Sequence, residues 1–594
     1  MRHYNATKVY CDRILAGTKT GEIVLFDFDD LDCLDEKKVS NGTISAIDIK
    51  NGIFAALSQN YDVIIGEVLS EKIKINGVFN GLNNIIEDGY QVSRSENQGI
   101  ALNSDGKKIA FRSPNSTCMI ADLSDMENIV SNFRFDVLYD IVTLCWTENE
   151  NILVGFSNGI IGKINLKDDS IRTIKLDNIN ESIHWFEKVN DSEYIIATDA
   201  RCVVRLNEHD LNYKIGPKFS DDDFEHVTYD HINKVAYATS FDRRVYKIDI
   251  ESLENIEVIY EARFKIRWSD LIYKDNTPYL ILQIRDGSIV KLNLSTRKVE
   301  KLIRETQPAF WTYVSYLDKK LFFGEDGGYF FSFNDKQKYI FDYRIKKEYE
   351  GYYIKRAISN DKLLVLGGTN GKVMIKNSED DFKIIRIGSP VRDLCFGLNN
   401  VIYIASESGN VYKIEECNVN VIYKSESEPV WSISFNFDLC MLAIGERFGN
   451  VIILDSSNEY HVVAYTDSKI PKRMKWINKN KLAVVNSSNI DLITYNEKEK
   501  SWVNISEYYK GGFNTIEDFI VHNGSIIIGI NYNRYILSWH LETGEVLGKL
   551  FWDQDYAKGI MNLDEEKFIV YGRNSKVKEY IMHDNEILLT RIVN

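Results

Sequence analysis

The sequence predicts an all-β protein built of two tandem β-propellers, each with seven four-stranded blades. Three observations lead there: a recurring pattern, its period, and its alternation. The pattern is an apolar run, a small or polar turn and a second β-rich run. It reads ILAGTKTGEIVLFD from Ile14 to Asp27, ILVGFSNGIIGKINL from Ile152 to Leu166 and MLAIGERFGNVIILD from Met441 to Asp455. A unit of this kind buries its faces only against neighbouring copies. The turns run from Gly21 to Asn574 and give about fourteen units of roughly 42 residues, inside the window of about 40–45 for a propeller blade. Stretches such as Val245-Tyr246-Lys247-Ile248-Asp249-Ile250 alternate as strands do and lack helical spacing.

The elements of one blade can be placed in order on the best-preserved unit. Val430 to Phe435 is the inner strand, Asn436-Phe437-Asp438 a turn, and Met441 to Gly445 the second strand. Phe448-Gly449 then turns into the third strand, Val451 to Asp455. Ile100 to Ala110 forms a similar first hairpin, and Leu537 to Leu547 a similar third strand with its following turn. These segments resemble the WD-repeat superfamily, and the resemblance covers nearly the whole chain. Most units lack that superfamily's Trp-Asp ending and Gly-His start. Its polar network inside a blade is reduced here to a turn aspartate such as Asp242, Asp286 or Asp326, so rigidity is expected to come mainly from apolar packing.

Propellers usually close with about four to eight blades, so fourteen units divide into two rings. Seven and seven is the simplest division, although six and eight also fits. The expected domains are 1–303 and 309–594, joined by a short polar bridge from Arg304 to Pro308. One step, from Asp62 to Asn115, is longer than the rest. Its excess lies near 77–98, a polar stretch expected to be a loop insertion on one rim.

Composition limits the function classes. The chain has 594 residues, 44% hydrophobic, which is enough for two substantial cores. No apolar run reaches the roughly 18–20 residues a membrane span needs, and Met1 to Thr20 has no apolar leader segment. The 8 cysteines are scattered singly, without metal or redox spacing, so a cytoplasmic setting is expected. A net charge of −15 argues against gripping nucleic-acid phosphates as the main task.

A basic and aromatic surface on this acidic body is nevertheless expected, because the fold gathers particular loops on one face. Loops leading into inner strands carry Lys265, Arg267, Lys355, Arg356, Arg392, Lys472 and Arg473, with Trp311 and Trp431 at equivalent places. Arg447 joins them from the turn between second and third strands. Arginine and tryptophan combine large contact area with directional polarity, as binding hot spots require. These residues are the expected partner-binding set, for a protein partner or an acidic or phosphorylated segment. A small-molecule ligand is compatible with the same channel mouth.

Catalytic, cofactor and metal sites are not expected. His226 and His231 are separated by an odd number of residues, which on a continuous strand puts them on opposite faces. His184, beside Trp185, is isolated in sequence and is expected in a core or at an edge. Asp221-Asp222-Asp223 lacks the alternating ligand pattern of a calcium loop. The expected function is a non-enzymatic interaction scaffold. The alternative is a propeller enzyme, a hydrolase or lyase whose site sits at a channel mouth.

Overall fold

The computed structural model describes residues 3–593 apart from 81–97, 114–115, 136–139, 304–309, 318, 325–328, 333–337, 341–342, 350–351, 378–381, 417, 427–428, 448, 468–469, 512–514, 554–556 and 573–575. The body of the expected insertion, the bridge at Arg304 to Pro308, and the turn residues Asn115, Asp326, Phe448 and Asn574 therefore lie outside the described residues. Fourteen four-stranded antiparallel sheets are present, each made from four consecutive strands paired in chain order. The chain divides into two compact units, Met1–Gln307 and Pro308–Asn594. Seven sheets fall in each unit, giving two seven-bladed propellers.

Numbered in chain order, blades 1 to 7 occupy 4–38, 44–80, 100–134, 141–175, 183–215, 224–261 and 266–303. Blades 8 to 14 occupy 310–340, 354–386, 391–424, 430–467, 471–509, 516–551 and 557–592. Apolar residues on both faces make the first three strands interior, as in the buried run Leu364–Gly368. Fourth strands are far wetter, and Lys298–Ile303 is exposed along nearly its whole length. Side chains between blades form the cores, for example Leu153, Ile161, Ile183, Phe186 and Ile196 between blades 4 and 5. One short α-helix, Tyr343–Tyr349, precedes blade 9, where the Tyr349 hydroxyl donates to the Leu366 carbonyl at 3.0 Å. Among the described residues no helix is long and apolar enough to cross a membrane.

Each ring closes without sharing a strand between its ends. In the N-terminal unit, blade 1 packs on blade 7 through a core that includes Tyr4, Phe26, Phe28, Ile281 and Ile289. The Gln283 amide donates to the Tyr4 carbonyl at 2.8 Å, and the Val9 N–H donates to the Asp270 carboxylate at 2.6 Å. In the C-terminal unit, Phe310, Tyr313 and Phe322 pack on Ile569, Tyr571 and Val577.

The bond to Asp270 belongs to a series that the sequence did not announce. A polar side chain on one inner strand accepts the backbone N–H of the next inner strand, which has no ladder partner on that side. Asp48 does this for Leu102 at 2.8 Å, Glu187 for Tyr229 at 3.3 Å, Thr312 for Ala357 at 3.2 Å and Asp393 for Ile433 at 3.3 Å. A buried N–H left unpaired costs about as much as a lost hydrogen bond, so these clasps help fix the blades to one another.

Turn aspartates also hold more than the sequence suggested. Asp242 accepts from Ser220 Oγ at 2.8 Å and from the Tyr246 hydroxyl. Asp62 accepts from Ser40 Oγ at 2.5 Å and Ser58 Oγ at 3.0 Å. Serine and tyrosine thus rebuild a polar network within these blades, and apolar packing is not their sole source of rigidity. Asp270→Ala removes the clasp at the ring seam and is expected to destabilise the N-terminal unit by about 1–3 kcal/mol. Denaturant unfolding checks this, with hydrogen exchange at Val9 reporting the seam; an unchanged midpoint and exchange rate would contradict it.

Candidate functional site

The site follows from a single backbone irregularity repeated around the ring. Each inner strand of the C-terminal unit carries a β-bulge one residue after its start, where the register skips a position. The extra residues are Trp311, Lys355, Arg392, Trp431, Lys472 with Arg473, Glu517 and Lys558. A bulge breaks the strict alternation of a strand and re-aims one side chain. Inner strands pack side by side around the axis, so residues re-aimed from different blades converge at one mouth of the channel.

Their contacts show this convergence. Glu517 receives Lys472 Nζ at 2.5 Å and Lys558 Nζ at 2.9 Å, from the blades on either side. Trp311 stacks on Tyr353 with ring centroids 4.4 Å apart. Lys558 Nζ lies 4.1 Å and Lys355 Nζ 4.8 Å from the Trp311 ring. Arg392 pairs with Glu407 and lies 5.7 Å from the Trp431 ring, with Arg447 over the same indole at 5.0 Å. Lys472 also meets the Tyr532 hydroxyl at 2.5 Å.

The electrostatics are uneven. Lys355, Arg392, Lys472 and Lys558 face one bulge carboxylate, Glu517, with Glu407 beside Arg392. Burial alone would raise the Glu517 carboxyl, but Lys472, Lys558 and Lys355 outweigh it and hold the group well below the ordinary carboxylate range. Lys355 is held well below the ordinary lysine value, first by burial and then by the charges of Lys558 and Arg392. Its amine lies over two aromatic rings, Trp311 and Tyr353, and makes no ion pair among the described residues.

Of the residues singled out in the sequence, Trp311, Lys355, Arg392, Trp431 and Lys472 thus occupy equivalent bulges and Arg447 joins them. Arg356 and Arg473 do not line this set as free cations. Arg356 is spent on Asp393 at 3.1 Å, and Arg473 donates to the Lys472 carbonyl at 2.8 Å. Lys265 and Arg267 belong to the N-terminal unit, where Lys265 pairs with Asp222 at 2.6 Å and buried Arg267 bonds Asn5. Glu517 and Lys558 were missed. Aligning blade starts would have found them, since Phe-Trp-Thr, Ile-Lys-Arg, Val-Arg-Asp, Val-Trp-Ser, Pro-Lys-Arg, Ile-Glu-Asp and Ala-Lys-Gly share one offset.

The N-terminal ring repeats the device with other chemistry. Its bulges carry Asn5, Ser45, Val142, His184, Glu225 and Arg267. Three residues further on, Lys8, Asp48, Glu187 and Asp270 meet. Burial alone would lower Lys8, but Asp270, Glu187 and Asp48 raise it above the ordinary lysine value. His226 is stacked between Trp185 at 4.2 Å and Trp268 at 5.1 Å, while His231 lies edge-on to Tyr229 at 4.7 Å. They share no site.

No protein-family model matches the chain, and no curated protein matches it.

Glu517→Gln tests whether the bulge carboxylate of the mouth stabilises its ring. A depressed carboxyl contributes stability in full above the unfolded value near 4.5 and loses it as pH falls toward the folded value. The variant is therefore expected to unfold earlier than wild type at pH 7, with the gap closing below about pH 4.5. A gap that stays constant from pH 7 to pH 3 in denaturant titrations would refute this origin.

Proposed function

We propose that this chain is an interaction scaffold of WD-repeat type whose C-terminal propeller holds an acidic or phosphorylated segment of a partner protein at its channel mouth. The observation that supports it most is the set of seven equivalent bulges carrying five cations, Arg473 among them, with two tryptophans and a single carboxylate. Lys355 carries the argument furthest. Its desolvated ammonium is costly without an anion, and a carboxylate or phosphate placed against it supplies the missing charge. Half-buried Trp431 offers apolar surface beside those charges, the combination typical of a binding hot spot, while Trp311 is buried beneath Lys355 and Lys558 and backs them. A protein segment is favoured over nucleic acid because the chain as a whole carries −15, which repels an extended polyanion. Cytoplasmic residence fits the scattered cysteines.

A second reading places an enzyme at the same mouth, and one observation favours its lyase form. A lysine desolvated beside other cations is the setting in which an amine becomes a nucleophile toward carbonyl groups.

The test titrates wild type and Lys355→Met with a glutamate-rich peptide and its phosphoserine counterpart, following tryptophan fluorescence. Wild type is expected to bind, more tightly at lower pH because the anion restores a proton to Lys355, and more weakly in high salt. Lys355→Met is expected to lose about 10–100-fold in affinity, the worth of one charge-assisted bond. The same variant is expected to be the more stable protein at neutral pH. A lysine held below its ordinary value lowers stability most at low pH, and the difference vanishes above about pH 10.5. Equal binding by both proteins would sink the proposal. Borohydride trapping of a carbonyl compound on Lys355, with no peptide binding, would establish the second reading instead.

A further inference from the structure

His184, Asp199 and Glu225 come from three places in the sequence and meet at one mouth of the N-terminal ring. His184 is the bulge residue of blade 5 and Glu225 that of blade 6, while Asp199 opens the turn after the strand Glu193–Thr198. That turn is fastened, since the Asp199 N–H donates to the Ser182 carbonyl at 3.0 Å. His184 Nε2 lies 2.9 Å from Asp199 Oδ1, and His184 Nδ1 lies 3.6 Å from Glu225 Oε2. One donor atom from each residue can be chosen so that all three lie within 4.8 Å of one another.

His184 is only 5% exposed and its Nδ1 takes no hydrogen bond. Beside it opens a cavity of about 150 Å³, whose lining also includes Asp140, Asp223 and Arg285. Four carboxylates and one guanidinium thus share one cavity with the imidazole. Arg285 lies over the Phe241 ring at 4.7 Å. Two carboxylates within 3.6 Å of a buried imidazole place one nitrogen and two oxygen donors around a single point beside the cavity.

We propose that His184, Asp199 and Glu225 form a binding site for a divalent transition-metal ion, of which Zn²⁺ is the best fit. One imidazole nitrogen with two carboxylate oxygens matches the borderline preference of Zn²⁺, whereas Ca²⁺ and Mg²⁺ favour all-oxygen sets. Metal–ligand bonds of about 2.0–2.2 Å need donors some 3.3 Å apart in a tetrahedron, and the three donor atoms already lie within 4.8 Å of one another. Three protein ligands leave the fourth position facing the cavity, where water or a small anion completes the shell. The arrangement is independent of the basic mouth in the other unit and stands or falls separately from it.

The experiment uses the full chain, stripped with a chelator and titrated calorimetrically with Zn²⁺. One ion per chain is expected, with no competition from excess Mg²⁺ or Ca²⁺. Affinity is expected to fall by about 10–100-fold or more in His184→Gln and in Asp199→Asn. Unfolding curves establish that each variant is folded. X-ray absorption of the wild-type zinc complex needs no variant, and is expected to show one imidazole among oxygen neighbours. Absence of stoichiometric binding would overturn the proposal, as would a first shell without histidine or undiminished binding by a folded variant.

Discussion

A four-stranded blade cannot bury both of its faces alone, and everything else in this molecule depends on how each ring meets that need. Strands in a ladder satisfy their own backbone, but the inner edge of a blade turns its N–H groups toward the axis with no strand beside it. Here side chains take over the missing role. Asp48, Glu187, Asp270, Thr312 and Asp393 each accept a backbone N–H from the following blade. At the seam of the N-terminal ring, where no strand crosses from one end to the other, Asp270 and Gln283 do the work that a shared sheet would otherwise do.

The same region determines the chemistry of each axis. A bulge at a fixed offset, in all seven blades of the C-terminal ring and six of the N-terminal ring, adds a residue that does not have to alternate in and out, so it is free of the demand for apolar character. The two rings fill these places differently. In the C-terminal ring they hold lysine, arginine and tryptophan around Glu517. In the N-terminal ring a histidine and a glutamate occupy two of them, above a lysine ringed by acidic groups. One step along from Lys355 and Lys472, Arg356 is spent on Asp393 of the next blade and Arg473 folds back onto the Lys472 carbonyl, so neither is an exposed cation.

The architecture was legible in the sequence because it rests on repetition and alternation, which are local. Val430 to Phe435, Met441 to Gly445 and Val451 to Asp455 fall on the strands Val430–Asn436, Met441–Glu446 and Asn450–Asp455. Trp311, Lys355, Arg392, Trp431 and Lys472 were visible for the same reason, as polar or aromatic residues where a strand should begin. What repetition cannot show is which residues from distant blades meet. Glu517 and Lys558 look like ordinary strand residues until the ring brings them to Lys472 and Trp311. His184 reads as an isolated core histidine until Asp199 and Glu225 arrive from either side. The clasps were hidden too, since a buried aspartate in a strand gives no sign of which backbone it serves.

Closure without a shared strand has a consequence for how such a protein can change over time. Every blade is one uninterrupted stretch of chain, so no sheet depends on residues from both ends of its unit. Duplication or deletion of a single unit of sequence would leave every remaining sheet whole. Only the wedge angle between neighbours and the two surfaces at the seam would need to adapt. Ring size is then a property of packing between blades, open to drift, while the blade itself persists as the unit that is inherited.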